Sequence, residues 1–261
     1  MLDVLELLGA EKQPLVLERY HDVLCRDYTV DKGVVKQCRK NYQHFNLDEK
    51  SRVVDLGANI GAFAVMCSKV PILEYYGFEP DPDNYEVLLR NLEECKSTTG
   101  RRTWWSGVDA AVTPRDELRI DFYIKPGTST SANRTATPTR VTRALRRITV
   151  DNVHVDLVMS IRPTHLKMDI EGGERDILDH WKGHIPEGVR EVFIEVHRHP
   201  YVLEFHETHH KTILADGFEM VYCNLCRRYW QNSEWEVFGQ KGVMPRPPTI
   251  LTAEIIYRRT R

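Results

Sequence analysis

No part of this sequence constrains its fold more than residues 53–63, which read VVDLGANIGAF. The apolar run, interrupted only by Asp55, is typical of a strand buried on both faces. Gly57 and Gly61 allow backbone conformations and close approaches that a side chain would obstruct. An apolar segment resumes directly after the second glycine. The stretch therefore predicts a strand, a tight turn and the start of a helix that together hold a nucleoside cofactor.

A second acid follows the next predicted strand. Tyr75–Phe78 has a strand-like composition, and Glu79 stands at its carboxyl end. Ligands of parallel sheets bind beyond such strand ends, where a carboxylate can accept hydrogen bonds from both ribose hydroxyls. Asp55 is in position to take up a positively charged group of the cofactor. Three residues separate the glycines of the turn, which departs from the GxGxxG dinucleotide fingerprint and disfavours an NAD-dependent dehydrogenase.

The remaining sequence continues the alternation of strands and helices. Helices are predicted at residues 62–70, 82–92 and 213–218, and strands at 103–112, 147–151, 166–170, 192–196, 219–223 and 250–257. Residues 118–124 alternate apolar and polar side chains, as a half-buried antiparallel strand of an inserted hairpin does. The order predicts an α/β fold: an open, doubly wound, Rossmann-like sheet, mostly parallel, with an antiparallel strand near the C-terminus.

Composition and charge bound the function classes. The formal net charge of −2 gives no overall attraction to nucleic acid or to an anionic membrane. The apolar run at the start is interrupted by Asp3 and Glu6 and lacks a basic leader, so it predicts neither a signal peptide nor a membrane span. We therefore expect a cytoplasmic protein with reduced thiols and no membrane partner. Cys223 and Cys226 form half of a zinc motif that His206, His209 or His210 would have to complete, and coincidental thiols are the favoured interpretation.

Residues 125–147 form the strongest shift in composition. The segment is rich in Ser, Thr and Pro and contains six basic residues and no acid: Lys125, Arg134, Arg140, Arg143, Arg146 and Arg147. Such a segment would attract an anionic substrate such as a phosphorylated sugar, a nucleotide or RNA. It contains no aromatic residue for base stacking. A solvated loop is the favoured interpretation.

A second group of polar residues converges on the same edge of the predicted sheet. Its members follow or end two strands that should be close together: Lys167, Asp169, Glu171, Glu195 and His197. His197 is a plausible general base because its ordinary pKa lies near neutrality. Asp169 would orient an acceptor hydroxyl or, with Glu171, bind a divalent cation that acidifies it. The competing interpretation of Asp169 is a carboxylate that caps the next helix.

Several segments resemble a known enzyme family. DLGANIGAF and GFEPDPDN are similar to the first two motifs of S-adenosylmethionine-dependent class I methyltransferases. HLKMDIEGGERDIL (165–178) and VFIEVH (192–197) resemble the FkbM-type methyltransferases, and the likeness runs from about residue 50 to about residue 222. The family shares a DxEG segment, which strengthens Asp169 and Glu171 as site residues. Gly173 stands where many relatives carry alanine.

The resemblance implies the cofactor, S-adenosyl-L-methionine, and residues to bind it: Asp55, Gly57, Asn59, Gly61, Glu79 and Asp109. Asp109 would accept a hydrogen bond from the adenine amino group, or else be a turn carboxylate. Residues 51–261 would form the class I methyltransferase domain. Residues 1–50 would form a helical extension, because apolar residues recur at Leu2, Leu5 and Leu8 and again at Leu15, Leu17, Tyr20 and Leu24. This extension would pack on the sheet or cover the mouth of the site.

The sequence thus predicts an O-methyltransferase that acts on a hydroxyl of a small metabolite or saccharide. Asp169, Glu171 and His197 would serve the acceptor. One alternative keeps the cofactor and makes nucleic acid the acceptor, through the basic segment at 125–147. Another is a non-catalytic module that retains the nucleoside pocket. A ribose 2′-O-methyltransferase is disfavoured because no second lysine accompanies Lys167 in a matching motif. The oligomeric state is left open.

Overall fold

The fold is built from fourteen strands and seven α-helices among the residues that the computed structural model describes, which are 15–27, 29–99, 103–124, 146–197, 201–227, 234–237, 240–243 and 251–260. Numbered along the chain, the strands are β1 (Leu17–Tyr20), β2 (Val23–Arg26), β3 (Arg52–Leu56), β4 (Glu74–Phe78), β5 (Trp104–Val108), β6 (Ala111–Thr113), β7 (Arg119–Ile124), β8 (Arg146–His154), β9 (His165–Met168), β10 (Glu191–Val196), β11 (Phe218–Arg227), β12 (Glu234–Val237), β13 (Gln240–Val243) and β14 (Leu251–Arg259). The helices are α1 (Asp31–Asn41), α2 (Ala62–Cys67), α3 (Pro82–Thr99), α4 (Val155–Met159), α5 (Glu174–His180), α6 (Tyr201–Glu207) and α7 (His209–Ala215), and a 3₁₀ turn spans Tyr42–His44.

Seven of the strands form one sheet in the order β11-β14-β10-β9-β3-β4-β5. The five strands from β10 to β5 are parallel, and β14 is antiparallel to both of its neighbours. The prediction of an open, mostly parallel sheet with an antiparallel strand near the C-terminus is confirmed. Because β9, β3 and β4 are adjacent, their carboxyl ends lie side by side at one edge.

Apolar side chains on the two faces of the sheet pack under different helices. Val54 and Leu56 of β3 are wholly buried in a cluster with residues of α5, α6 and α7. Val53 points to the opposite face, where its cluster includes residues of α1, α2 and α3. Helices on both faces explain why β3 lacks the apolar and polar alternation of a half-exposed strand. Burial on both faces makes the centre of the sheet a rigid support for the loops at its edge.

A smaller sheet in the order β6-β8-β7 confirms the predicted insertion. β7 pairs antiparallel with β8, and β6 pairs parallel with β8. The strand predicted at residues 103–112 is divided, because the chain turns at Asp109 and Ala110 and the Ala110 N–H donates to the Val108 carbonyl at 3.0 Å. Its first part, β5, stays in the large sheet, and its second part, β6, enters the small one.

The helix predicted from Leu15, Leu17, Tyr20 and Leu24 is wrong. These residues belong to a β-hairpin in which β1 pairs antiparallel with β2. Its turn is made by His21 and Asp22, whose φ values of 48° and 70° suit the right-handed twist of a hairpin. The buried residues of β2, Val23 and Cys25, alternate with period two, which is the signature of a strand. The described part of the extension nevertheless contains a helix, α1.

Other element boundaries also differ from prediction, and the helix that begins at Pro82 runs to Thr99. α2 ends at Cys67, although the sequence predicted a helix to Val70, and the 209–215 helix begins earlier than predicted. Leu2, Leu5, Leu8 and most of the basic segment lie outside the described residues. Among the described helices, none is both long and apolar enough to cross a bilayer. A cytoplasmic location stays a prediction.

Candidate active site

Five parallel strands deliver the predicted site residues to one edge of the sheet. Each residue follows a different strand: Gly57 after β3, Glu79 after β4, Asp109 after β5, Asp169 after β9 and His197 after β10. Because these strands are neighbours and run in the same direction, their carboxyl ends share the edge where ligands of open α/β sheets bind. The convergence that the sequence predicted is confirmed at the level of the backbone.

The turn after β3 is held by its backbone. The N–H groups of Gly57 and Ala58 both donate to the Phe78 carbonyl, at 3.0 and 2.9 Å, which ties the turn to the end of β4. Gly57 has a φ of 80°, and a Cβ at this position would lie 1.9 Å from the Asp169 carbonyl oxygen. Gly61, with a φ of 82°, precedes α2 and would clash with Leu88 if it carried a side chain. Both glycines are therefore required by the fold of the turn itself.

Glu79 is buried beside this turn and is oriented by backbone amides. Its two carboxylate oxygens accept hydrogen bonds from the N–H groups of Asn59, at 2.8 Å, and Asp81, at 2.9 Å. Burial raises the pKa of Glu79 to about 7, although the hydrogen bonds from Asp81 and Asn59 oppose the shift. The carboxylate is thus fixed in direction and titrates near neutral pH.

Asn59 and Asp109 complete the part of the edge predicted to bind the cofactor. Asn59 has a φ of 54°, and its side-chain oxygen accepts the N–H of Ile60 at 2.7 Å, which stabilises the turn. Asp109 is exposed and accepts no hydrogen bond from the residues that the structure describes. Its carboxylate is therefore open to a ligand, as a contact with an adenine amino group would need.

Asp55 has a different environment from the one predicted. It is wholly buried, and its two carboxylate oxygens contact the Lys167 ammonium at 2.8 Å and the Tyr75 hydroxyl at 2.5 Å. Although burial opposes it, the carboxylates of Asp55 and Asp169 raise the pKa of Lys167 above its ordinary value. Asp55 therefore has a cation of the protein as its partner, and a direct contact with the cofactor stays a prediction.

Lys167 joins the turn to the second acidic group. Its ammonium donates to the Gly57 carbonyl at 2.9 Å and lies 3.7 Å from the Asp169 carboxylate. Asp169 also accepts the Tyr42 hydroxyl at 3.3 Å, and its side chain remains about a quarter exposed, at 26%. Contacts with Lys167 and Tyr42 thus restrain the Asp169 carboxylate, while part of its surface remains exposed.

Glu174, not Asp169, binds the backbone amides of the loop that leads into α5, and the N-cap residue of that helix is Gly173, which offers no side-chain cap. The Glu174 carboxylate is fully buried and accepts the N–H groups of Ile170 at 2.7 Å and Gly172 at 2.8 Å. These bonds satisfy amides of the loop between β9 and α5. One of the same oxygens accepts a hydrogen bond from Nδ1 of His197 at 3.1 Å. Glu174 therefore links the loop after β9 to the residue that follows β10.

His197 faces a group of carboxylates with its other ring nitrogen. The Nε2 atom lies 3.4 Å from Glu195, 3.6 Å from Glu171 and 4.0 Å from Asp169. Burial would lower the pKa of His197, but the negative charges of Glu174 and Glu195 outweigh it and raise that pKa well above its ordinary value. These negative charges favour the protonated imidazole, and the general-base role of His197 stays a prediction.

Glu171 reaches this group from a strained backbone position. Its φ of 56° lies in the left-handed region, which glycine adopts more readily than residues with a side chain, and Gly172 follows with a φ of 106°. The conformation brings the Glu171 carboxylate to 3.6 Å from His197. Such strain persists where the surrounding structure enforces it, and it is common at functional sites.

Sequence reasoning missed two residues of this site. Tyr42 comes from the N-terminal extension and packs edge-on against Phe193 while its hydroxyl contacts Asp169. No local pattern marks it, because the contact joins residues 127 positions apart. Glu174 could have been recognised as an acid in the first turn of α5, but its bond to His197 depends on the pairing of β9 with β10.

The sequence is similar to known methyltransferases. A family model described as the methyltransferase FkbM domain matches residues 55–220. Methyltransferase sdnD of Sordaria araneosa is 27% identical over 186 residues, which cover 59% of this chain and 69% of that protein.

Two solved structures align with most of this chain. TYW2 of M. jannaschii, solved in complex with AdoMet, aligns at 14% identity with a TM-score of 0.45 and covers 96% of this chain and 89% of that chain. Trm5b of Pyrococcus abyssi aligns at 11% identity with a TM-score of 0.51, over 97% of this chain and 58% of that chain. At 11% identity, the likeness to Trm5b concerns only the arrangement of strands and helices.

Proposed function

We infer, because the chain belongs to the FkbM family of methyltransferases, that this S-adenosylmethionine-dependent enzyme methylates a hydroxyl of a small metabolite or saccharide. The observation that carries this proposal is the group formed by Asp169, Glu171 and His197 next to the Gly57 turn. Carboxylates there repel phosphate groups and accept hydrogen bonds from hydroxyls. A neutral polyhydroxylated acceptor suits this charge better than a nucleic acid does.

The residues at the ends of β3, β4 and β5 fit the cofactor. Glu79 offers a buried, oriented carboxylate at the position where ribose hydroxyls would donate, and Asp109 offers an open carboxylate one strand further along. When bound, S-adenosylmethionine supplies an electrophilic methyl group on a sulfonium. We propose that Gly57, Asn59 and Gly61 shape the wall of this pocket and that Asp55 contributes by holding Lys167 in place.

The residues that bind the acceptor must orient its hydroxyl and remove the hydroxyl proton. Asp169 is restrained by Lys167 and Tyr42 yet keeps an exposed face, so it is suited to accept a hydrogen bond from the acceptor hydroxyl. Glu171 would accept a second one. Removing the proton as the oxygen is methylated typically contributes about 10²–10⁴-fold to the rate. We assign this work to Asp169 and its neighbours, with Asp169 as the first residue to test.

An RNA acceptor is the second candidate, and the basic residues at 125–147 are the feature that favours it. Of these, only Arg146 and Arg147 lie within the described residues, and Arg147 donates to Asp121 at 2.8 Å. Steep salt dependence of RNA binding, abolished by neutralising Arg143, Arg146 and Arg147, would support this candidate.

The proposed function is tested by finding the acceptor. The protein is incubated with isotopically labelled S-adenosylmethionine and fractionated metabolites, and mass spectrometry identifies the molecule that gains a methyl group. We expect a hydroxyl-bearing small molecule or saccharide. A labelled RNA in place of a metabolite would favour the second candidate. Cofactor binding without a methylated metabolite or a methylated RNA would support a non-catalytic module.

Cofactor affinity should depend on pH through Glu79. Its pKa of about 7 in the free protein means that a proton must leave before the carboxylate can accept both ribose hydroxyls. We therefore expect the affinity, measured by calorimetry, to be constant above about pH 7 and to fall up to about tenfold per pH unit below it. Glu79→Gln should bind more weakly and lose this pH dependence.

Glu74→Gln is the matched control, because Glu74 lies at the opposite end of the same strand, 3.5 Å from Arg52. This variant should retain the affinity and pH profile of the wild type. An unchanged pH profile in Glu79→Gln would show that another group controls binding and that Glu79 does not contact the ribose.

A further inference from the structure

We propose that Asp169, Glu195 and His197 bind a divalent transition-metal ion, with Glu171 beside them as an additional oxygen ligand. The inference deepens the proposed function, on which its catalytic meaning rests, because the ion would hold the acceptor oxygen. Binding of the ion itself can be measured without any methyl transfer.

The spacing of the three side chains is that of ligands around a common centre. One ligand atom from each of Asp169, Glu195 and His197 can be chosen so that all lie within 4.8 Å of one another. The Nε2 atom of His197 is 3.4 Å from Glu195 and 4.0 Å from Asp169, which is longer than a good hydrogen bond. Metal–ligand bonds of about 2.0–2.2 Å place neighbouring ligand atoms about 3.0–3.6 Å apart. The group is therefore already close to the size of a coordination shell.

His197 is oriented as metal-binding histidines are. Its Nδ1–H donates to the buried carboxylate of Glu174 at 3.1 Å, which fixes the ring and directs Nε2 toward the other carboxylates. A carboxylate on the far nitrogen is the usual outer partner of a ligating histidine, because it selects the tautomer and strengthens the ligand. Glu174 itself is held by two loop amides, so the ring has little freedom to turn away.

Glu195 provides an independent reason to expect a cation. The residue is more than nine-tenths buried, and within the described residues its carboxylate accepts no hydrogen bond. Its contact there is the 3.4 Å approach to His197. A buried carboxylate without donors is costly, and a bound cation would remove that cost. Lys167 does not serve this purpose, because its ammonium is shared by Asp55 and Asp169.

The donor set indicates the class of metal. Carboxylates alone favour Mg²⁺ or Ca²⁺, whereas an imidazole among them favours first-row transition metals such as Mn²⁺, Fe²⁺ or Zn²⁺. The side chains are partly accessible, at 26% for Asp169 and 13% for His197, so an ion and an acceptor oxygen can both reach the site. A metal-bound hydroxyl loses its proton to solvent more easily, and its oxygen then bonds to the methyl carbon as the carbon–sulfur bond breaks.

The test uses the full chain, freed of metal and titrated with Mn²⁺ alone, with calorimetry and electron paramagnetic resonance as readouts. We expect one ion per chain at this site and, in pulsed spectra, nitrogen coupling from an imidazole. Glu195→Gln and His197→Ala should bind at least about tenfold more weakly, and the positioning variant Glu174→Gln should weaken binding less than either. Failure of the wild type to bind Mn²⁺ below millimolar concentration, or bound Mn²⁺ without nitrogen coupling, overturns the proposal.

A second histidine and carboxylate group offers a matched control. His154, Asp156 and His180 lie within ligand distance of one another but are more exposed. His180→Ala should bind Mn²⁺ at the proposed site as the wild type does, and a selective loss of binding in this variant would place the ion elsewhere and refute our assignment. S-adenosylmethionine binding is measured on every variant. Intact cofactor binding without Mn²⁺ binding rejects only the metal site, whereas a wild type that binds Mn²⁺ but not the cofactor rejects the proposed function.

Discussion

Replacing Lys167 with methionine is expected to lower the free energy of unfolding by about 3–5 kcal/mol, as measured by urea denaturation. The ammonium is buried between Asp55, Asp169 and the Gly57 carbonyl, and Asp55 is wholly buried. Without its cation, Asp55 would remain as an uncompensated charge in the interior, and among the described residues the Tyr75 hydroxyl would be its remaining side-chain hydrogen-bond donor. The same change should disturb the turn after β3 and weaken cofactor binding.

A double variant separates the lost charge pair from lost packing. The double variant Asp55→Asn with Lys167→Met should be destabilised less than the sum of the two single variants. Each single variant leaves the charge of its partner behind, whereas the double variant removes both charges. Lys69→Met is the control, since Lys69 pairs with Asp22 at an exposed site and should change stability little. Equal effects of Lys167→Met and Lys69→Met would contradict the role given to the buried pair.

Asp169→Asn is expected to lower kcat by about 10²-fold or more on the acceptor identified by mass spectrometry. The amide keeps the shape of the side chain but loses the charge that accepts from the acceptor hydroxyl. Cofactor affinity, measured by calorimetry, should change little, because the Asp169 side chain contacts Lys167, Tyr42 and His197, whereas Glu79 is held separately by the amides of Asn59 and Asp81. The separation of turnover from binding is the diagnostic result.

Asp176→Asn serves as the comparison, because Asp176 lies on the adjacent α5 and is 45% exposed, 4.0 Å from Arg115. It should retain full turnover. If Asp169→Asn is as active as Asp176→Asn, the acceptor binds elsewhere and the proposed site is misplaced.

The local features of this protein were predictable because short-range patterns determine them. The buried strand before Gly57, the glycine turn and the acid after β4 all follow from residues near one another in sequence, and the structure places them as predicted. The same holds for the antiparallel strand at the C-terminal end, whose apolar run pairs with β10. The N-terminal extension was misjudged because Leu17, Tyr20 and Leu24 are three and four residues apart, as on a helix, whereas the chain turns at His21 between them and forms a hairpin.

The chemistry of the second acidic group depended on contacts between distant parts of the chain. The sequence predicts that Asp169 and His197 lie at one edge of the sheet, but it does not indicate that Glu174 orients the imidazole of His197. Nor does it indicate that Lys167 forms an ion pair with Asp55, for which the sequence predicts a direct contact with the cofactor. In both cases the identity of the partner depends on the register between strands, which sequence patterns alone do not specify.

The missing side chain of Gly57 has a consequence for how such an enzyme can diversify. Its Cα lies so close to the Asp169 carbonyl that even a methyl group would not fit between them. The distance between the Gly57 turn and Asp169 is therefore set by two main-chain segments, and exchanging side chains cannot adjust it. If Asp169 binds the acceptor as we propose, changes in acceptor preference would have to arise in the surrounding extension and insertions, because this main-chain contact fixes the distance between the glycine turn and Asp169.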